Sequence, residues 1–156
     1  MNHDTNKIPI TILICDDDED DRILTKQALE TAHISNALRF VEDGEQLLDY
    51  LYQRGAYAGE TGKAPRPGLI LLDLNMPKMD GRAVLAQIKS DPQLMTIPVV
   101  VLTTSEAEED ILRSYELHAN CYVQKPVDLE KFMSIVGLIE NFWLSAVRLP
   151  PAPRAA

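Results

Sequence analysis

The chain has 156 residues, which suits one domain and falls short of two ordinary ones. Apolar residues make up 46% and charged residues 25%, a globular balance that excludes a disordered or collagen-like chain. The formal net charge of -9 at pH 7 argues against a nucleic-acid backbone or an anionic membrane surface as partner, since both attract basic surfaces.

The first residues, Met1–Lys7, read as a flexible tail, and the stretch Met1–Cys15 holds too few apolar residues before the acidic block for a secretory signal. Ile8–Cys15 (IPITILIC) is almost continuously apolar, the pattern of a strand covered on both faces inside a parallel sheet. The acidic run Asp16-Asp17-Asp18-Glu19-Asp20-Asp21 follows, and Leu24, Ala28 and Ala32 then recur at helical spacing. Ala37–Val41 reads as a weaker edge strand, and Leu47, Leu48 and Leu51 form a helical stripe after Asp43-Gly44. Arg54–Gly68 carries four glycines and two prolines and reads as a surface excursion, either a partner-contacting loop or a tolerated insertion.

A second apolar run, Leu69–Leu72, precedes a helix predicted by Val84, Leu85 and Ile88, which starts at Asp80-Gly81 and stops at Asp91-Pro92. Pro98–Leu102 is the next strand, and Ser105 with Glu108 forms a capping box for a helix carrying Ala107, Ile111 and Tyr115. Cys121–Val123 is the last strand, Leu129–Leu144 the last helix, and residues 149–156 a second flexible tail around a domain spanning 8–148. Strands alternating with helices imply an α/β fold of right-handed βαβ units, a doubly wound parallel sheet with helices on both faces. No apolar stretch reaches the roughly 18 residues of a membrane helix. Cys15 and Cys121 lie inside apolar runs rather than in a C-x-x-C pair, so a reducing, cytoplasmic setting is expected.

In an open parallel sheet, ligands gather at the carboxyl ends of the strands. There the sequence delivers Asp16 and Asp17, then Asp73, then Thr103 and Thr104, then Lys125. Converging carboxylates repel one another, and a divalent cation relieves that repulsion; an all-oxygen donor set suits Mg²⁺. For Asp18 to Asp21 the simpler reading is a favourable placement at the positive end of a helix dipole. Asp73 either caps a loop or acts as a nucleophile that accepts a phosphoryl group, with Lys125 and the Thr103 hydroxyl set to meet the phosphoryl oxygens. His3, His33 and His118 have no metal-ligand spacing.

Asp16-Asp17, the run Asp73-Leu74-Asn75-Met76-Pro77-Lys78-Met79-Asp80-Gly81, Val101-Leu102-Thr103-Thr104 and Lys125-Pro126 together resemble the receiver domains of two-component response regulators. The likeness runs from Ile8 to Leu144. It implies a flavodoxin-like (βα)5 sheet with strand order 2-1-3-4-5, and a phosphoryl group accepted on Asp73 from a histidine kinase. It also implies Mg²⁺ held by Asp17, Asp73 and the Asn75 backbone carbonyl, with Asp16 acting through water. In the same way it implies Thr103 as switch hydroxyl, Lys125 as the phosphate-pairing cation and Pro126 at a position that is often cis. Tyr122 matches the switch aromatic of the family, or is an ordinary half-buried tyrosine. The Arg54–Gly68 loop, the stretch around Asp73 and the ending NFWLSAVRLP are similar to stand-alone response regulators that pair with bacterial phytochromes.

The last helix is apolar over a wide arc. One stripe runs Leu129, Phe132, Met133, Val136, Ile139 and Trp143, and a second holds Ile135, Leu138 and Phe142. The second stripe predicts a homodimer through this helix, unless the C-terminal tail covers it. Such a module assists its own phosphorylation and hydrolysis but turns over no external substrate. Two other classes compete less well. A Mg²⁺-dependent aspartyl phosphatase of the haloacid dehalogenase type needs an Asp where Asn75 stands, and a flavodoxin-like electron carrier needs a hydroxyl- and Gly-rich phosphate loop where six acids stand.

Overall fold

A computed structural model describes residues 11–31, 37–59, 64–74, 81–103 and 121–124, together with residue 134. Five strands appear in chain order: β1 (Thr11–Cys15), β2 (Ala37–Val41), β3 (Pro67–Leu72), β4 (Val99–Thr103) and β5 (Cys121–Gln124). Three α-helices are described, α1 (Glu19–Thr31), α2 (Gly44–Tyr52) and α3 (Gly81–Ser90). All strand pairs are parallel, and the sheet runs β2-β1-β3-β4-β5, as the resemblance implied. The helix predicted after Ser105 and the last helix lie outside the described residues.

Continuous apolar strands are explained by burial on both faces. Leu13, Cys15, Ile70, Leu72, Val99 and Val101 join Leu47, Leu48, Val84, Leu85 and Ile88 of α2 and α3 in one core. The alternate residues Ile12, Ile14, Leu69, Leu71 and Val100 are equally buried on the opposite face. Each such side chain contributes about 1.5–3 kcal/mol relative to exposure. β2 sits at the sheet edge with its first four residues exposed or half-buried, and there the alternating pattern of Ala37–Val41 suffices.

The helix starts follow the local chemistry. Asp18 Oδ1 accepts from the backbone N–H groups of Asp20 (2.9 Å) and Asp21 (3.2 Å), so Asp18 caps α1, and Glu19, Asp20 and Asp21 occupy its first turn. Opposing the helix dipole with acids there is favourable, as the acidic run suggested. Asp43 caps α2 through the Gln46 N–H at 2.8 Å, while the Gln46 side chain accepts from the Glu42 N–H at 3.0 Å.

One expectation needs correction. Arg54–Gly68 is not a pure surface excursion. Gly55–Tyr57 form a 3-10 turn, Ala64 is buried in the core, and Pro67-Gly68 already belong to β3. Tyr57 packs edge-on against the buried Tyr50 ring, with centroids 5.2 Å apart. Tyr50 Oη donates to the Pro65 carbonyl (2.8 Å) and Gln53 Nε2 to the Ala64 carbonyl (3.1 Å), so the connection folds back onto α2. Pro67 is accommodated as the first residue of its strand, where the register shifts between Thr11 and Ile12 and skips Gly68.

Candidate phosphoryl-acceptor and cation site

In the strand order 2-1-3-4-5 the chain reverses its direction of winding between β1 and β3, and the crevice opens at their carboxyl ends. The register there is tight. Cys15 pairs with Leu72, and the Asp73 N–H donates to the Cys15 carbonyl at 3.0 Å. The residues that follow, Asp16 and Asp17 on one side and Asp73 on the other, therefore emerge side by side. One carboxylate oxygen from each of the three lies within 4.8 Å of the others. Residues 56 positions apart in sequence are brought together only by this pairing.

The three differ in surroundings. Asp16 is 4% exposed and Asp73 9%, whereas Asp17 is exposed. Asp16 is gripped along its whole length. Its N–H donates to the Val41 carbonyl (3.1 Å), its Oδ1 accepts from the Asp18 N–H (2.9 Å), and its carbonyl accepts from Arg22 Nη1 (2.8 Å). Below the cluster, burial pushes the Cys15 thiol well above its ordinary range, and the charges of Asp43, Asp16, Asp73 and Asp17 push the same way. A protonated thiol is favoured there, and Sγ donates to the Asp43 carbonyl at 3.5 Å. Cys15 is a buried apolar filler, as its place in the strand predicted.

Oxygen donors alone, converging from two strands and partly exposed through Asp17, fit a hard divalent cation that keeps several waters. Thr103 ends β4. Leu72 pairs with Val101, so the Thr103 backbone lies two residues further toward the same edge. β5 reaches that edge as well, with Gln124 opposite Thr103 and Tyr122 opposite Val101. The side chains of Thr103 and Tyr122, and all of Asn75, Thr104, Lys125, Pro126, Ile135, Leu138 and Phe142, lie outside the described residues.

Two contributors were missed from sequence. Gly81 was read as a turn and helix start and as the last residue of the run that resembles receiver domains, but not as a packing contact. A Cβ there would meet the Asp73 carbonyl oxygen and Leu74 Cα at 2.7 Å each, and the Gly81 N–H donates to the Leu74 carbonyl at 3.1 Å. The absent side chain lets the start of α3 press against the backbone that carries Asp73. Its place eight residues after Asp73, at a helix start, was the available signal. Arg22, half-buried on α1, gave no signal at all.

Comparison with known proteins agrees with this geometry. A family model described as "Response regulator receiver domain" matches residues 12–137. Response regulator Rcp1 of Synechocystis sp. is 47% identical over 149 residues, covering 96% of this chain and 99% of that protein. The crystal structure of a phosphorylated cyanobacterial phytochrome response regulator, RcpA, superposes with a TM-score of 0.86 at 48% identity, covering 92% of this chain and all of that one. The Mn²⁺-bound form of Rcp1 superposes with a TM-score of 0.84, also at 48% identity and with the same coverage.

Proposed function

This chain belongs to the response regulator receiver family, and from that membership we propose that it is a phosphorelay switch whose acceptor is Asp73. In this reading a carboxylate oxygen of Asp73 attacks the phosphorus of a phosphohistidine on a histidine kinase. The P–N bond breaks, and the imidazole nitrogen leaves with the electron pair and takes up a proton. The observation that carries the reading is the meeting of Asp16, Asp17 and Asp73 oxygens within 4.8 Å at the sheet's switch point.

Each residue has a part in this account. Asp73 is the nucleophile; Asp17 holds the cation with it and with the Asn75 carbonyl, and Asp16 acts largely through water. Bound Mg²⁺ supplies positive charge that offsets the developing charge on the phosphoryl oxygens. Lys125 pairs with one such oxygen and the Thr103 hydroxyl donates to another, while Tyr122 follows Thr103 inward and Pro126 aims the lysine. The occupied site then shifts a two-state equilibrium that changes a protein-contact surface. The kinase is a bacterial phytochrome, a pairing supported by the likeness to the cyanobacterial phytochrome response regulator RcpA. The receiver occupies 8–148 between tails at 1–7 and 149–156, and dimerises through Ile135, Leu138 and Phe142. A cytoplasmic setting accords with the described helices, none of which is long and apolar enough to cross a membrane.

The test is direct. Acetyl phosphate with Mg²⁺ adds one phosphoryl group to the wild-type chain, and Asp73→Asn abolishes the addition by intact-mass measurement. Labelling that persists in Asp73→Asn moves the acceptor elsewhere. Transfer from a phytochrome histidine kinase, faster than from an unrelated kinase, sharpens the assignment of the partner.

A further inference from the structure

Arg22 projects from the second turn of α1 back over the acidic run. Its Nη1 donates to the Asp16 carbonyl at 2.8 Å, and its Nη2 stands 3.5 Å from Glu42 Oε1 in the β2–α2 connection. The guanidinium side chain is 17% exposed and that of Glu42 is 62% exposed, so the arginine is the buried member of the pair. The carbonyl it grips belongs to the peptide joining Asp16 to Asp17. Fixing that peptide plane fixes where the Asp17 side chain departs and keeps it beside Asp73.

We propose that Arg22 is a positioning residue for the divalent-cation site, holding the Asp16–Asp17 peptide from behind while Glu42 anchors its second arm. The inference rests on reading the three carboxylates as that site. Two effects of the guanidinium oppose each other. As a positive charge near the cluster it disfavours a second cation, and this effect is softened by Glu42 and by solvent. As a geometric clamp it spares the cation the work of ordering an exposed Asp17. The clamp acts through a short charge-assisted hydrogen bond, whereas the repulsion is screened, so the clamp wins.

The signs differ, which makes the proposal decidable by calorimetric titration of the full chain with MnCl2. Removing the donor in Arg22→Met weakens Mn²⁺ binding about tenfold, the scale on which partners behind metal ligands act. Arg22→Lys, which keeps a cation able to reach the carbonyl, recovers part of the loss, and Glu42→Gln shows a smaller loss. In EDTA the melting midpoints of Arg22→Lys and wild type stay close, so the change in affinity is not a change in folding. Mn²⁺ bound by both Arg22 variants as tightly as by wild type, or more tightly, overturns the proposal. An Asp17→Asn control separates the two ideas. If that variant binds like wild type, the site reading itself fails; if it loses binding while the Arg22 variants keep it, only the role of Arg22 fails.

Discussion

The two ends of the sheet are built from opposite electrostatics. At the carboxyl end three acids come together, and Arg22 of α1 grips the Asp16 backbone carbonyl beside them. At the amino end, where α2 and α3 finish and β3 and β4 begin, polar side chains meet complementary partners. Lys89 Nζ donates to the carbonyls of Met95 (3.1 Å) and Ile97 (2.7 Å), although burial lowers its pKa to about 8. Arg66 Nη1 donates to the Gln93 carbonyl at 2.7 Å, and Arg54 pairs with Asp49 at 2.9 Å while lying over the Tyr52 ring. One end is closed by side-chain hydrogen bonds to backbone carbonyls and an ion pair, and the other gathers three carboxylates whose oxygens lie close enough together to hold one cation.

The largest expected effect tests how closely the functional end is packed. Gly81→Ala places a methyl group 2.7 Å from the Asp73 carbonyl oxygen and from Leu74 Cα, both backbone atoms with no side-chain freedom to yield. Relief requires α3 or the Asp73 segment to move, at about 1–3 kcal/mol of stability. Urea titration of the variant therefore shows an earlier midpoint, and its phosphorylation by acetyl phosphate slows because the displaced backbone carries Asp73, the proposed acceptor. An Ala variant with wild-type midpoint and wild-type labelling rate means that the helix start tolerates what the distances forbid.

A smaller effect with the opposite sign compares the ends directly. If the acids at the carboxyl end repel one another, Asp17→Asn removes one like charge and raises the melting midpoint of the metal-free protein, by a small amount because Asp17 is exposed to solvent. The same substitution removes the rise in midpoint that Mg²⁺ gives the wild type. A metal-free Asp17→Asn that melts lower than wild type breaks the contrast, because it means that Asp17 is already satisfied without a cation.

That contrast also explains what was legible in the sequence. The apolar runs at β1, β3 and β4 were readable because strands buried on both faces have nowhere to place a polar residue, and Asp16, Asp17 and Asp73 were readable because they follow such runs at the carboxyl end. Asp18 was readable as part of a helix start, since caps are local. The amino end was not readable in the same way. Tyr50 to Pro65, Tyr52 to Asp91 and Arg66 to Gln93 are side-chain bonds across 15 to 39 residues, most of them to backbone carbonyls that every residue type offers. Gly55 and Gly59 advertised a loop, while the buried Ala64 that returns it to the core resembles any surface alanine. Arg22 was hidden for the same reason, and so was the packing role of Gly81, since each acts on backbone atoms of a neighbouring segment.

The smallest effect isolates one lock at the amino end. Tyr52 Oη donates to Asp91 Oδ2 at 2.6 Å, and Asp91 Oδ1 accepts from the Gln93 N–H at 2.8 Å, joining α2 to the turn after α3. The hydrogen bond from Tyr52, and then that from Gln93, hold the Asp91 carboxyl below its ordinary 3.8. The same bond, and then burial, push the Tyr52 hydroxyl above its ordinary 10.0. The depressed carboxyl contributes stability that is complete above 3.8 and fades as pH falls through its lower folded value. The raised phenol contributes stability that is complete below 10.0 and fades as pH rises through its higher folded value. Wild type therefore exceeds Tyr52→Phe by a plateau of about 0.5 kcal/mol at neutral pH, with the difference shrinking on both the acid and alkaline sides. Groups common to both proteins, including Tyr50 with its pKa raised to about 12 and the three clustered acids, cancel in that difference. Urea midpoints of the two proteins across pH measure it. A difference that stays constant into acid and alkali assigns the tyrosine to packing alone, and the amino end then owes its stability to shape rather than to matched charge.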